Sequence, residues 1–382
     1  MKPQRMSQTF VFGSATSNEN FTDREQEAAR LRMNFEHGIN TILVSPRRWG
    51  KTSLVQKVAI QVNESCENIK VVCMDAFFCR CEEDFYRMFS TEMIRQTASR
   101  WEEWAGNVKQ FLSRLSPRLN FGVDPVNDFS LSLDLSENLQ PEQDILNLPQ
   151  KIAAAKNIKI IVCIDEFQQI SDFSDSKNFQ KKLRSVWQLQ NDASYCLYGS
   201  KMHFLSEIFS KPSMPFYKFG ELMYLPKIDT PHWVAYICER FEKTGKNISP
   251  EIALKICESV ENHSSYVQHL AWLVWSLSNE SASDETFNQA YNELLNQNST
   301  LYYRYLENLS GYQLNLLRAL ADGVETELST ASAIAKYNLG SSANVTRIKK
   351  ALEQKELIDI TGKRTLIPDP VFKKWLQREM KL

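Results

Sequence analysis

The stretch Ser45-Pro46-Arg47-Arg48-Trp49-Gly50-Lys51-Thr52 carries the residue types that hold a polyphosphate. It fills the frame G-x-x-x-x-G-K-[ST] at every fixed position but the first, where Ser45 stands for Gly. Such a loop wraps anionic oxygens in backbone N–H groups and points a helix N-terminus at them. Its Lys reaches the terminal phosphates and its hydroxyl sits on Mg2+. Lys51 and Thr52 are placed for those two tasks, with Ser53 next in the same first turn; residues 45 to 53 are the expected nucleotide-binding run. Gly is preferred at the first position because the chain turns sharply there. Ser is the next smallest polar residue and Pro46 stiffens the turn, so the loop is expected to form with Ser45 in it.

A second group of residues completes the chemistry. "KIIVCIDEFQQI" is an apolar run ending in Asp165-Glu166. Asp165 is expected to hold Mg2+ through water, and Glu166 to polarise the water that attacks the terminal phosphate. "YCLYGS" ends in Ser200, which can sense that phosphate, orient the water, or simply cap the next helix.

The elements that must position these groups follow from the pattern. Residues 21–38 read as an amphipathic helix, with Thr22 and Glu25 forming a capping box and Gly38 ending it. Short apolar strands are expected at 40–45, 68–78, 157–167 and 193–200, with helices at 51–65, 81–115, 142–156 and 175–192. Alternating short apolar strands and helices argue for a parallel α/β sheet covered on both faces. Residues 116–140 break the pattern and read as a hairpin or ordered insertion. From Pro231 onward helix follows helix, and "LIDITGKRTLIPD" near the C-terminus reads strand, turn, strand. The expected division is an α/β core over 1–228, a helical lid over 229–300 and a winged-helix module over 301–382.

Bulk properties narrow the class. The chain has 382 residues, 43% hydrophobic and 24% charged, with net charge −1, so it has ample core material and no overall field that demands nucleic acid. "MKPQRMSQTF" lacks an apolar signal segment, and no apolar run reaches the ~20 residues of a membrane span. The eight Cys sit mostly in apolar stretches and read as reduced thiols, which places the protein in the cytoplasm with no membrane partner. "CRC" at 79–81 has the wrong spacing for a zinc knuckle.

Taken together, "FTDREQEAARL", "SPRRWGKTSLV", "IIVCIDEFQQI" and "YCLYGS…PFYKFGELMYLPKI" resemble the archaeal-type prokaryotic ATPase family, in the AAA+ superfamily near its STAND branch. The resemblance runs over roughly residues 20 to 280. It implies a P-loop ATPase core, a helical lid, a C-terminal winged helix, and ATP with Mg2+. It also implies that Arg24 lies near the adenine or ribose and that the lid contributes a nucleotide contact, for which His263 is the candidate although Ser follows it where relatives carry Pro. Arg184 is the candidate finger that completes a neighbour's site after self-association. Lys218 stands where relatives tend to carry Arg, which weakens a sensor role there.

In the C-terminal module "YNLG" (337–340) supplies a turn and "SSANVTRIKKALEQKEL" a recognition helix, with Ile348, Leu352 and Leu357 facing inward. Residues 311–382 hold 12 Lys+Arg against 8 Asp+Glu, a net of +4. Ser341, Asn344, Arg347, Lys350, Lys363 and Arg364 are the side chains that could touch DNA; a protein partner or an autoinhibitory role fits the module equally. The function expected is an ATPase that uses its cycle as a conformational switch. The alternative is a nucleotide-gated DNA- or protein-binding regulator with little hydrolysis.

Overall fold

The computed structural model describes residues 9–13, 22–97, 120–121, 131–132, 141–200 and 202–380. They form two compact units: residues 24–226, and residues 227–382 together with the N-terminal residues up to Asp23.

The first unit is built on strands β1 (Thr41–Val44), β2 (Ile69–Asp75), β5 (Lys159–Asp165), β6 (Ala193–Gly199) and β7 (Glu221–Tyr224). They pair in parallel in the order β2-β5-β6-β1-β7. Strands covered on both faces must be apolar at nearly every position. All four residues of β1 are buried, and so are five successive residues of β5. On one face Ile42, Val44, Val72, Met74, Val162 and Leu197 share a core with a cluster of aromatic rings. Trp187 is at its centre, 1% exposed, stacked on Tyr195 at 4.0 Å between centroids and surrounded by Phe89, Phe167 and Phe216. Helices α1 (Glu25–His37) and α2 (Lys51–Ser65) pack on one another, and α2 packs on β2.

Several sequence expectations need correction. α1 begins at Glu25, and its N-cap is Arg24, with no side-chain cap bond, so the Thr22–Glu25 box does not form. Asp23 and Arg24 both have left-handed backbones, with φ of 54° and 79°, which starts the helix two residues later than the box requires. The helix expected over 142–156 is two, Pro141–Leu146 and Leu148–Lys156, broken at Asn147 with Pro149 in the first turn of the second. β7 was not expected at all. α3 (Glu82–Thr97) supplies the start of the helical region at 81–115; residues 98–115 lie outside the described residues. So does most of the 116–140 insertion, of which β3 (Asn120–Phe121) and β4 (Leu131–Ser132) pair antiparallel.

In the second unit the helices Thr230–Lys243, Pro250–Ser259, Ser264–Leu277 and Asp284–Glu307 share one apolar core with the C-terminal module. That module comprises helices Gly311–Ala321, Ala331–Tyr337 and Ser342–Gln354, strands β8 (Asp359–Thr361) and β9 (Arg364–Leu366), and helix Pro370–Glu379. The last helix packs on Asp284–Glu307 and Gly311–Ala321. Its N-cap Asp369 accepts from the N–H groups of Val371 and Phe372, and from the Tyr266 hydroxyl at 2.7 Å. One carboxylate therefore ties helix Ser264–Leu277 to helix Pro370–Glu379. Ile348, Leu352 and Leu357 are buried, as their spacing requires. Phe10, near the N-terminus, is 3% exposed in the same core, and Phe12 stacks on His269.

Replacing Trp187 with Ala removes the largest side chain of the first core and leaves a cavity that stiff neighbours cannot close. Urea or guanidinium unfolding is expected to show a loss of about 3–5 kcal/mol; a loss below about 1 kcal/mol would contradict the packing described.

Candidate nucleotide site

The sheet order decides where the reactive groups meet. β6 lies between β1 and β5, so all three strands end on one edge. The loop after β1, Asp165-Glu166 after β5 and Ser200 after β6 therefore converge by topology, as expected for open parallel sheets.

The loop itself answers the question raised by Ser45. Its left-handed residues are Arg48 (φ 62°) and Gly50 (φ 92°); Ser45 is not among them. Position 45 thus makes no demand on φ that only Gly meets, and Ser45 fits with 1% exposure. Its hydroxyl donates to the Pro46 carbonyl at 3.2 Å. The steric requirement for Gly falls on Gly50, where the chain reverses into α2.

Lys51 is 5% exposed and donates to the carbonyls of Ser45 (2.9 Å) and Pro46 (2.8 Å). Burial pulls its pKa down to about 8, against the pull of Glu166 and Asp165, which favour the charge. A desolvated ammonium with two carbonyl partners gains when an anion approaches. α2 adds to that field, since its N-cap Gly50 brings no side-chain cap and the helix dipole favours negative charge there. Thr52 donates to Asp165 Oδ2 at 2.6 Å, which fixes the first turn of α2 to the end of β5. Ser53 is buried in the same turn.

Burial also raises the Asp165 carboxyl to about 6, with Glu166 and Asp75 adding to the rise and the Thr52 hydroxyl and Glu166 N–H opposing it. Asp75 lies directly beside Asp165 in the β2–β5 register. Its only signal in the sequence is its place at the end of an apolar strand. Glu166 has a left-handed backbone (φ 48°), its N–H donates to Asp165 Oδ1, and its Oε2 accepts from Ser200 at 3.0 Å. Arg47 Nε donates to Ser200 Oγ at 3.1 Å. Lys51, Thr52, Asp165, Glu166, Ser200 and Arg47 thus form one connected group.

The other expected residues are placed as follows. Arg24, 3% exposed, donates to the Trp49 carbonyl and pairs with Glu27, so it braces the loop. Arg48 is exposed on the loop. Arg184 is half-buried with its guanidinium 4.8 Å over the Phe219 ring. Lys218 has φ 54° and lies over the Tyr217 ring. His263 belongs to the second unit, where it is buried at the N-cap of Ser264–Leu277 beside Tyr266.

The Walker-type ATPase PABY2304 of Pyrococcus abyssi superposes with a TM-score of 0.68 at 17% identity, covering 97% of this chain and 100% of that one. This chain shares the fold of that Walker-type ATPase. The same ATPase fold is seen in the Aeropyrum pernix ORC2 protein in its ADPNP-ADP complexes, with a TM-score of 0.58 at 17% identity, covering 95% and 97% of the two chains. The family described as "Probable winged helix domain" matches residues 300–378, which covers the C-terminal module of this ATPase fold. Among curated proteins no sequence match is found. No described helix is long and apolar enough to cross a membrane.

The Asp165 carboxyl titrates higher in the native protein than in the unfolded chain. Its contribution to stability is therefore full below about pH 4 and is lost as pH rises through about 6. Asp165→Asn is expected to stabilise the protein by about 1–3 kcal/mol at pH 7 and by far less at pH 4, read by denaturant unfolding at both values. An equal effect at the two pH values would refute this account.

Proposed function

We propose that this protein binds ATP with Mg2+ in the site at the sheet edge, hydrolyses it, and uses the cycle to reposition its helical and winged-helix unit. The observation that carries the reading is the 2.6 Å hydrogen bond from Thr52 to Asp165, which sets the phosphate loop and the Asp165-Glu166 pair in one place. The donors there are a hydroxyl and carboxylates, the hard-oxygen set that suits Mg2+ bound through few protein ligands and the substrate's own phosphates. Thr52 and Asp165 would hold the ion, and when bound it neutralises charge on the β- and γ-phosphate oxygens.

The chain's own groups then divide the work. Lys51 and the α2 N-terminus bind the phosphates, and Arg47 and Arg48 add positive charge beside them. Glu166 accepts a proton from water as the water oxygen bonds to the γ-phosphorus and the bond to the leaving ADP oxygen breaks. Ser200 orients the water or senses the phosphate. Arg24 supports the loop on the nucleoside side, and His263 is the candidate lid contact. A finger role for Arg184 in a neighbouring copy belongs to the same proposal, and it requires the guanidinium to leave the Phe219 ring.

A regulatory reading with little turnover is favoured by the surface of the winged helix. Ser341, Arg347, Lys350, Lys363 and Arg364 are exposed on the recognition helix and wing, while Asn344 is spent on the Leu339 carbonyl. DNA binding through this face predicts that Arg347→Ala with Lys350→Ala weakens binding and flattens its salt dependence by about two phosphate contacts. A titration at several salt concentrations, with and without ATP, reads this, and no binding at low salt removes the DNA version.

Lys51→Ala is expected to abolish measurable ATP binding. Glu166→Gln should keep binding and lower phosphate release by at least about a hundredfold. Because an adjacent phosphate restores the charge on Lys51, ATP binding at pH 8.5 should take up protons, read calorimetrically in buffers of different ionisation heat. Buffer-independent heats would contradict it.

A further inference from the structure

Gln168 has no part in the reading above, yet its position is narrowly constrained. It is 3% exposed in the short helix Phe167–Asp172 that follows Glu166. Its Nε2 donates to Glu166 Oε2, the same oxygen that accepts from Ser200. A carboxylate only accepts, so the amide must turn its NH2 toward Glu166 and its oxygen away. That oxygen, buried and without a hydrogen-bond partner among the described residues, points at Gly199. A Cβ on Gly199 would stand 1.8 Å from it. Gly199 has no positive φ to explain a glycine there. Its lack of a side chain is what admits the Gln168 amide.

We propose that Gln168 is a positioning residue for the glutamate. Resting on the hydrolytic reading, the inference adds which oxygen does the chemistry. Gln168 and Ser200 together engage Oε2 from two directions, which fixes the carboxylate plane and leaves Oε1 to face the attacking water. During hydrolysis the water proton passes to Oε1 while the new bond to phosphorus forms and the bond to the ADP oxygen breaks. Gly199 takes part by leaving room. Two residues in the segments that follow β5 and β6, neither serving as the proton acceptor, therefore set the direction of the group that does.

The test uses full-length Gln168→Leu, Gly199→Ala, Gln168→Ala and the Gly199→Ala/Gln168→Ala pair, with Glu166→Gln for comparison. A fluorescent ATP analogue gives the binding constant, phosphate release gives kcat and KM, and thermal melting monitors folding. Gln168→Leu and Gly199→Ala should each lower kcat on the order of ten- to a hundredfold, with KM and analogue affinity nearly unchanged, as for a misdirected catalytic group. In the Gln168→Ala background, Gly199→Ala should add no further loss, because the atom its methyl meets is gone. Gly199→Ala tests the idea even if Gln168→Leu does not fold. If Glu166→Gln stops turnover while Gln168→Leu and Gly199→Ala run at the wild-type kcat, the positioning role falls and the ATPase reading stands. Losses that appear equally in kcat, affinity and melting temperature also overturn it, since they mark a packing role. If wild type and Glu166→Gln release phosphate alike, the hydrolytic reading itself falls and takes this inference with it.

Discussion

The site depends on a buried positive charge. Lys51 is held almost out of water and donates to two backbone carbonyls, and burial pulls its pKa down to about 8 even with Glu166 and Asp165 favouring the charge. The carboxylates at the end of β5 keep it charged, and the loop's geometry keeps it pointed inward. A charge so placed is poorly satisfied by neutral oxygens and well satisfied by phosphate. The same desolvation acts in reverse on Asp165. The protein thus holds two opposite charges in positions each disfavours: an anion relieves Lys51 and a cation relieves Asp165. Strained, costly arrangements of this sort mark functional sites more often than scaffolding.

Much of this was legible in the sequence because parallel strands and phosphate loops leave local marks. The strands β1, β2, β5 and β6 are apolar runs that both-face burial requires, and Asp165-Glu166 ends one of them. The winged helix could be read from the spacing of Ile348, Leu352 and Leu357. The residue that looked anomalous, Ser45, proved the least demanding, because the left-handed turn lies at Arg48 and Gly50. Sequence position alone cannot say which residue of a loop carries the positive φ.

What stayed hidden was non-local. β7 is four residues long and only its pairing with β1 makes it a strand. The capping box at Thr22 was locally sound, but Asp23 and Arg24 turn left-handed, and Arg24 bonds to the Trp49 carbonyl, 25 residues on. Local propensity lost to a tertiary bond there. Gln168 and Gly199 are 31 residues apart and explain each other only once β6 lies beside β5. Asp75 needed the β2–β5 register before it could be seen as a neighbour of Asp165.

The shared core of the second unit has a consequence for how this chain can be divided. The winged-helix match begins at residue 300, inside the continuous helix Asp284–Glu307. Leu294 and Leu295 before that point, and Tyr302 after it, are buried in the same cluster as Phe372 and Trp375. Tyr302 and Tyr266 both lie within hydrogen-bonding distance of Asp369. A fragment cut at residue 300 would sever a helix mid-turn and bare one half of a core to water. The matched module and the core it shares therefore have different borders, since that core also holds Trp233 and Ile237 of helix Thr230–Lys243, far upstream of residue 300.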